Sequence, residues 1–542
     1  MQKFLTKLVL VFFLVFQLSV SNIIAGNRAL PTVPVNGLAA ITQRELKMHL
    51  SFLASPELGG RYTFSDGNHI AARYLASQLE AFGYRGGATN GSFFQNIEFF
   101  ANFIDTKNSQ LKITSGNVKG LSLPANFIFG KDFFTATASS VDVEAPVVFV
   151  GYGISLPGEQ DDYAKINVQD KIVLVSSTIP KSVSRRVNYG QYGASAAYAH
   201  GAKAVLILPE GQINPTWSKP HLDNYLDNDG LFQMAKPQEN KAQANNEKPE
   251  IEISLALAET LLKAINLSTE DFFNLDQTNK PHTQAELPLS INLKLVSERV
   301  TKKTQNVVAI YDGSDPKLKQ EYVLLSAHYD HIKSEGKEIF CGADDDASGT
   351  SAILTIAHVF SSGTVPKRSI LVVFHTGEEI GLYGSRYFTD IEPLVALESV
   401  VVNLNADMIG RSRSDKSSSP LNQELTDKGS VYLIGSDKHS SELHKLSEQT
   451  NREITDLRLN YTYNAEEHPS RLFYRSDHYN YARHGIPIIF YFTGLHADYH
   501  RSTDTIEKID FDKLTRISRL IYATAWRVSN LEKRLVVDRW KK

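Results

Sequence analysis

The chain has 542 residues, too many for one ordinary core, so two or three domains are expected. Its 42% hydrophobic and 22% charged content is that of a globular protein and excludes a disordered or fibrous chain. A net charge of -3 without blocks of like charge excludes the basic footprint of a nucleic-acid binder.

At the N-terminus, Lys3 and Lys7 border an apolar run from Leu8 to Phe16, and small residues suited to cleavage end at Ala25. A signal peptide over 1–25 is expected, since the run is too short for a bilayer span, and with it no stable membrane association. No cysteine stands near the cleavage position to carry a lipid. Cys341 is the single cysteine, so internal disulfides are excluded. Export without disulfides points to a periplasm or the bacterial exterior.

Residues 41–83 read as two helices. Leu46, His49, Leu50 and Leu53 form one stripe; Ala71, Tyr74, Leu75, Gln78, Leu79 and Phe82 form the other, ending at Gly83. A strand follows near 92–100. Between about 135 and 290 the character changes. Apolar runs at 145–154 and 170–177 predict strands, 194–210 predicts a helix, a break at Gly201 and a strand, and the polar stretch 236–250 predicts a loop. This segment reads as a small domain inserted in a larger one. The expected division is therefore 26–134 for the first part of the large domain, 135–290 for the insertion, 291–535 for the remainder and 536–542 for a tail.

From about 296 the pattern alternates regularly. QNVVAIYD, EYVLLSAHYD, SILVVFHTGEE, SVVVNLNADM and IPIIFYFTG predict strands, with helical segments separating most of them. Nearly continuous apolar strands interleaved with helices predict an α/β fold, a mostly parallel mixed sheet with helices on its flanks. In 511–530, Leu514, Ile517, Leu520, Ile521, Ala525 and Val528 form a stripe that packs on such a sheet.

The polar residues gather where these strands end. EYVLLSAHYD runs into His328, Asp330 and His331, SILVVFHTGEE into Glu378 and Glu379, and SVVVNLNADM into Asp407; the loop after IPIIFYFTG carries Tyr499 and His500. The acidic run Asp344, Asp345, Asp346 lies between EYVLLSAHYD and the helical segment that follows it. Taken alone, that run reads as a solvated acidic turn. Ligands bind at the carboxyl ends of strands in open α/β sheets, and convergence of all these groups on one edge makes a cation site the better reading. Imidazole and carboxylate donors suit zinc, and one cysteine excludes a thiolate site. A pair of ions roughly 3.5–4 Å apart needs a bridging carboxylate and two further ligands for each. His328, Asp345, Glu379, Asp407 and His500 make such a set of five. Glu378 is left as a carboxylate able to take a proton from water and pass it to a leaving amine.

AHYDH, GADDDASG, TGEEIGLYGS, NADMIG and YH, in this order, resemble the co-catalytic di-zinc aminopeptidases, whose family also contains glutamate carboxypeptidases and glutaminyl cyclases. The likeness covers most of 40–535 in outline and implies the zinc exopeptidase-like, phosphorylase/hydrolase-like fold. DDYAKINVQDKIVLV and AAYAHGAKAVLIL resemble a protease-associated domain, such as several secreted members carry. The resemblance implies two Zn2+ ions, one on His328 and Asp407, the other on Glu379 and His500, bridged by Asp345. It further implies that Asp330 orients His328, that Glu378 is the general base and then the general acid, and that Tyr499 donates to the oxyanion. A cis peptide bond is implied between Asp345 and Asp346. The expected activity is that of a secreted aminopeptidase acting on peptides or proteins. A carboxypeptidase would need an arginine reading the terminal carboxylate, and Arg411, Arg413 and Arg475 are available. The intact GADDDASG argues against a cyclase, and the complete ligand set argues against a non-catalytic receptor-like relative. His375 and Cys341 read as packing residues; Asp477 and His478 read as supporting or structural. His331 reads as an aid to Asp330 or a loop cap. LASPELGGR departs from the family stretch it resembles, which usually has an acidic residue at Gly59 or Gly60. Oligomeric state is left open.

Overall fold

The computed structural model describes residues 30–539 apart from 117, 119, 182, 185–187, 212–232, 235–247, 335, 415–418 and 466. The expected signal peptide, most of the polar 236–250 loop and the end of the tail lie outside the described residues. Two compact units result: Met1–Ile97 with Lys303–Lys542, and Glu98–Lys302.

The first unit holds a mixed sheet. Besides the two-residue strands Arg85–Gly86 and Gln233–Met234, its strands in chain order are β1 (Phe94–Ile104), β2 (Ser297–Tyr311), β3 (Tyr322–His328), β4 (Ser369–His375), β5 (Val400–Ala406), β6 (Ser430–Ile434), β7 (Arg458–Asn460) and β8 (Ile488–Phe492). Across the sheet they run β1-β2-β4-β3-β5-β8-β6-β7. Strands β4, β3, β5 and β8 are mutually parallel, whereas β2 pairs antiparallel with β4 and β6 antiparallel with β8. The α/β mixed sheet expected from the sequence is therefore present.

Apolar residues line both faces of its central strands, and successive residues face opposite sides. Val323, Leu325, Ile370, Val372 and Phe374 enter one core, and Leu324, Leu371 and Val373 enter the other. Helices α1 (Gln43–Leu53), α2 (Asp66–Ala81), α3 (Ala347–Ser362) and α5 (Phe511–Asn530) supply the first core through Leu50, Leu75, Ile353 and Leu520. Helix α4 (Ser441–Ile454) adds Leu443 and Leu446. In α2 the buried stripe runs through Ala72 and Ala76, while Tyr74 and Gln78 stay half-buried, because small side chains let the helix approach closely.

The second unit is wider than 135–290 at both ends. Strand Gln110–Gly116 hydrogen-bonds along Ala285–Leu295, which pairs on its other side with Val141–Phe149, so the flanking chain joins the same sheet. Its parallel strands Ile172–Ser176 and Ala204–Leu208, with helix Gly193–Ala199, fall where the apolar runs predict them. Among the described residues no helix is long and apolar enough to cross a membrane.

Candidate metal centre

Strand order switches at β3, since β4 and β5, the two strands that follow it in the chain, lie on opposite sides of it. The crevice above such a switch is where an α/β sheet binds ligands. His328 ends β3 there, directly beside His375 of β4. Asp407 follows β5, Glu378 and Glu379 follow β4, and His500 lies in the loop after β8.

These side chains form two adjoining groups that meet at Asp345. His328 Nε2 lies 3.2 Å from Asp345 Oδ1 and 3.6 Å from Asp407 Oδ1. On the other side, His500 Nε2 lies 3.2 Å from Asp345 Oδ2 and 2.9 Å from Glu379 Oε2. His328, Asp345 and Asp407 have ligand atoms close enough to share one cation, as do His331, Asp345 and Glu379. Asp345 Oδ2 and His500 Nε2 are buried without a hydrogen-bond partner. Buried polar atoms left unpaired are costly, so oxygen and nitrogen donors converging this way fit a hard-to-borderline cation such as zinc.

The acidic run is not a solvated turn. Asp344, Asp345 and Asp346 are at most 2% exposed. Each of the outer two carries backbone. Asp346 caps α3 by accepting from Gly349 N at 2.8 Å, and its carboxylate also accepts from His328 N and Met408 N. Asp344 accepts from Gly410 N at 2.6 Å and faces His496 Nε2 at 3.2 Å. Asp504 accepts from the backbone N–H of both Asp344 and Asp345. That leaves the carboxylate of Asp345 turned to the imidazoles. The Asp345–Asp346 peptide bond is cis.

Asp330 is fully buried; its carboxylate accepts from Thr63 Oγ1 at 2.9 Å and from Glu378 N at 3.2 Å. His328 Nδ1 is nearer the Asp330 carbonyl oxygen, at 3.2 Å, than its carboxylate, at 3.7 Å. Asp330 thus ties the Glu378 backbone to the end of β3. Glu378 Oε2 stands 4.0 Å from His328 Nε2, outside both ligand groups. Burial raises its carboxyl well above the usual range, opposed by His328 and reinforced by Asp407, Glu379 and Asp477. Tyr499 stacks on His500 with ring centres 3.8 Å apart, and burial next to Asp345, Glu379 and Glu378 raises its phenol, keeping it a neutral donor. Asp345, Glu378, Asp407 and Tyr499 border one cleft.

His331 is the residue that reading along the chain undervalues. Its Nδ1–H donates to Glu379 Oε1 at 2.8 Å, it is fully buried, and Nε2 has no hydrogen-bond partner. Space for its ring exists because residue 342 is glycine: a Cβ there would lie 2.6 Å from His331 Cγ and 2.3 Å from Asp345 O, at φ +56°. The pair Gly342 and His331 was the available signal, but nothing in the spacing links either to Glu379. His375 and His478 are fully buried and belong to neither ligand group, with His478 Nε2–H donating to Phe473 O at 2.8 Å. Arg411 pairs with Asp498 and Asp504, and Arg413 lines a separate groove with Lys428 and Lys508. Arg475 alone of the three borders the cleft.

Residues 306–525 match the family described as Peptidase family M28. A probable zinc metalloprotease of Pyrenophora tritici-repentis is 29% identical over 257 residues, which cover 41% of this chain and 50% of that protein. Leucine aminopeptidase 2 of Arthroderma otae is 24% identical over 277 residues, 47% of this chain and 51% of that protein. The chain thus spans about half the length of these curated relatives. Among solved structures, the aminopeptidase from Aneurinibacillus sp. strain AM-1 aligns with 93% of this chain and 98% of its own at 19% identity and TM-score 0.45. The zinc aminopeptidase BSAP of Bacillus subtilis aligns with 95% of this chain and 100% of its own at 20% identity and TM-score 0.44.

Proposed function

We propose that this chain, whose segment 306–525 belongs to peptidase family M28, is an exported aminopeptidase that hydrolyses the first peptide bond of peptides or proteins. The observation that carries the reading is the pair of donor groups meeting at Asp345, His328 with Asp407 on one side and His500 with Glu379 on the other, with the carboxylate of Glu378 beside them. In this reading His328 and Asp407 would hold one zinc ion and Glu379 and His500 a second, with Asp345 available to both. Two bound ions would supply Lewis acidity toward the peptide carbonyl and toward water.

The chain's own residues do the rest. Glu378, its basicity raised by burial, takes a proton from water and returns it to the departing amine. Asp330 holds the Glu378 backbone in place through the 3.2 Å hydrogen bond. Tyr499, kept neutral, donates to the developing oxyanion. The carboxylates around the cleft attract the free α-ammonium group of the substrate, which selects amino-terminal residues. The unit Glu98–Lys302 is read as a protease-associated insertion, on the resemblance of its apolar segments.

The test is a panel of aminoacyl chromogenic substrates with free and blocked amines, assayed with and without chelator. Cleavage of the free-amine set alone, lost on chelation and restored by zinc, is expected; equal cleavage of blocked substrates overturns the reading. Glu378→Gln is expected to bind as much zinc as the parent while losing about 10²–10⁴-fold in kcat. Loss of zinc from that variant would reassign Glu378 as a ligand.

A further inference from the structure

The loop after β8 presents His500, and of the five proposed ligands this side chain is the least enclosed. It is 34% exposed, against 9% or less for His328, Asp345, Glu379 and Asp407. Its backbone lies at φ +54°, a left-handed conformation that a residue with a Cβ keeps only where its surroundings impose it. Yet His500 Nε2 meets both Asp345 Oδ2, at 3.2 Å, and Glu379 Oε2, at 2.9 Å. Two buried residues, four positions before and four after His500, fasten the loop to the acidic run. Asp504 is fully buried; its carboxylate accepts from the N–H groups of Asp344 and Asp345, and its carbonyl oxygen accepts from Ala343 N at 3.2 Å. His496 is 1% exposed and faces Asp344 Oδ2 with Nε2 at 3.2 Å; neither atom hydrogen-bonds to any other group among the described residues. The carbonyl oxygen of His496 accepts from Tyr499 N at 3.0 Å, so the turn that carries Tyr499 and His500 starts at this residue. The other oxygen of Asp344 is committed to Gly410 N at 2.6 Å. The hydrolytic reading gives His496 no task, although burying an imidazole and a carboxylate costs stability unless each satisfies the other.

We infer that His496 is a positioning residue. Held against Asp344, it fixes the turn through Tyr499 and His500, keeps His500 Nε2 on Asp345 and Glu379, and so raises the zinc affinity of that side of the site. This rests on the reading above that the two donor groups hold zinc. An apolar residue in place of His496 leaves Asp344 Oδ2 buried with nothing facing it and frees one end of the turn. The left-handed backbone at His500 then relaxes and withdraws the imidazole. The effect is confined to one side, because His328 ends β3 and Asp407 follows β5, so both take their places from the sheet.

The experiment uses the full chain and its His496→Leu, His496→Asn and His496→Gln variants. Each is stripped of metal, and zinc is returned in competition with a chromogenic chelator, which reads both affinities without turnover. In His496→Leu one of the two zinc affinities is expected to fall about 10–100-fold, the usual cost of losing a group that orients a metal ligand, while the other holds. His496→Gln, whose amide N–H extends toward Asp344, recovers part of the loss. His496→Asn is polar but too short to reach Oδ2, so it behaves as the leucine variant does and stands in for it should that variant fail to fold. Affinities unchanged at both ions, an equal fall at both, or a glutamine variant as weak as asparagine overturns the inference. A parent that binds two zinc ions yet cleaves no free-amine substrate ends the aminopeptidase reading alone, and the zinc affinities still decide the role of His496. A parent that binds fewer than two ions overturns the two-ion reading and this inference with it.

Discussion

His331 and Glu379 illustrate how one hydrogen bond can set the orientation of a carboxylate, here the one proposed to hold zinc. Glu379 has two oxygens, and His500 faces Oε2 at 2.9 Å while His331 Nδ1–H occupies Oε1 at 2.8 Å. A carboxylate held at one oxygen presents the other in a single orientation, which is how residues behind a metal ligand tune affinity. His331→Ala is therefore expected to weaken zinc binding about 10–100-fold, with Asn restoring part of the affinity through its amide N–H. Competition against a chromogenic chelator measures this on the protein itself. An unchanged zinc affinity would reduce His331 to a packing residue. The neighbouring carboxylates show the same division of labour: Asp344 and Asp346 serve backbone N–H groups, and Asp345 faces the imidazoles of His328 and His500.

At the scale of elements, Arg61 joins three pieces of chain that must agree for the site to exist. Its guanidinium donates to Leu53 O at the end of α1, to Tyr329 O just past β3, and to Cys341 O and Gly342 O ahead of the acidic run. Burial depresses its pKa, offset by Asp345, Asp346 and Asp330 nearby. Removing the guanidinium leaves four carbonyl groups without their donor in a region that is 1% exposed at Arg61. Arg61→Met is expected to cost about 3 kcal/mol or more in urea unfolding, since each buried unpaired group costs about 1–3 kcal/mol. Arg61→Lys recovers little, because an ammonium cannot span the same carbonyl set. A loss below about 1 kcal/mol would mean that the three pieces are held without it. This cross-tie also marks where reading the sequence stops. The central strands were legible because both faces of the sheet are buried and the apolar runs are continuous, and the site was legible because its residues end those strands. The partners of Arg61, the contact between His331 and Glu379, and the pairing of Gln110–Gly116 with Ala285–Leu295 join residues far apart in the chain. Local periodicity carries no record of such pairings, which is why the second unit extends beyond the segment whose character changes.

Over the whole molecule, two fully buried histidines make the fold sensitive to acid. His375 lies in β4 with Nε2 3.1 Å from Tyr481 Oη, and His478 donates from Nε2 to Phe473 O while its ring stacks on Phe490. Burial depresses both to about 3 from the ordinary value near 6.5. A histidine whose folded pKa is depressed binds a proton in the unfolded chain before it does in the native one. Its contribution is thus complete above about pH 6.5 and is lost as pH falls toward 3. Buried carboxyls act oppositely: burial raises Asp477 to about 7 and Asp504 to about 6, so these groups favour the fold as pH drops through that range. Only a difference between proteins isolates the histidine. His478→Gln keeps an N–H donor toward Phe473 O and removes the titration. The stability gap between parent and variant is expected to narrow by about 1.4 kcal/mol per pH unit between pH 6 and 4. Unfolding free energies of chelator-treated protein, measured across that interval, give the gap without a contribution from metal release. A gap that stays constant with pH would mean that His478 titrates normally in the native protein and that its burial is not coupled to its charge.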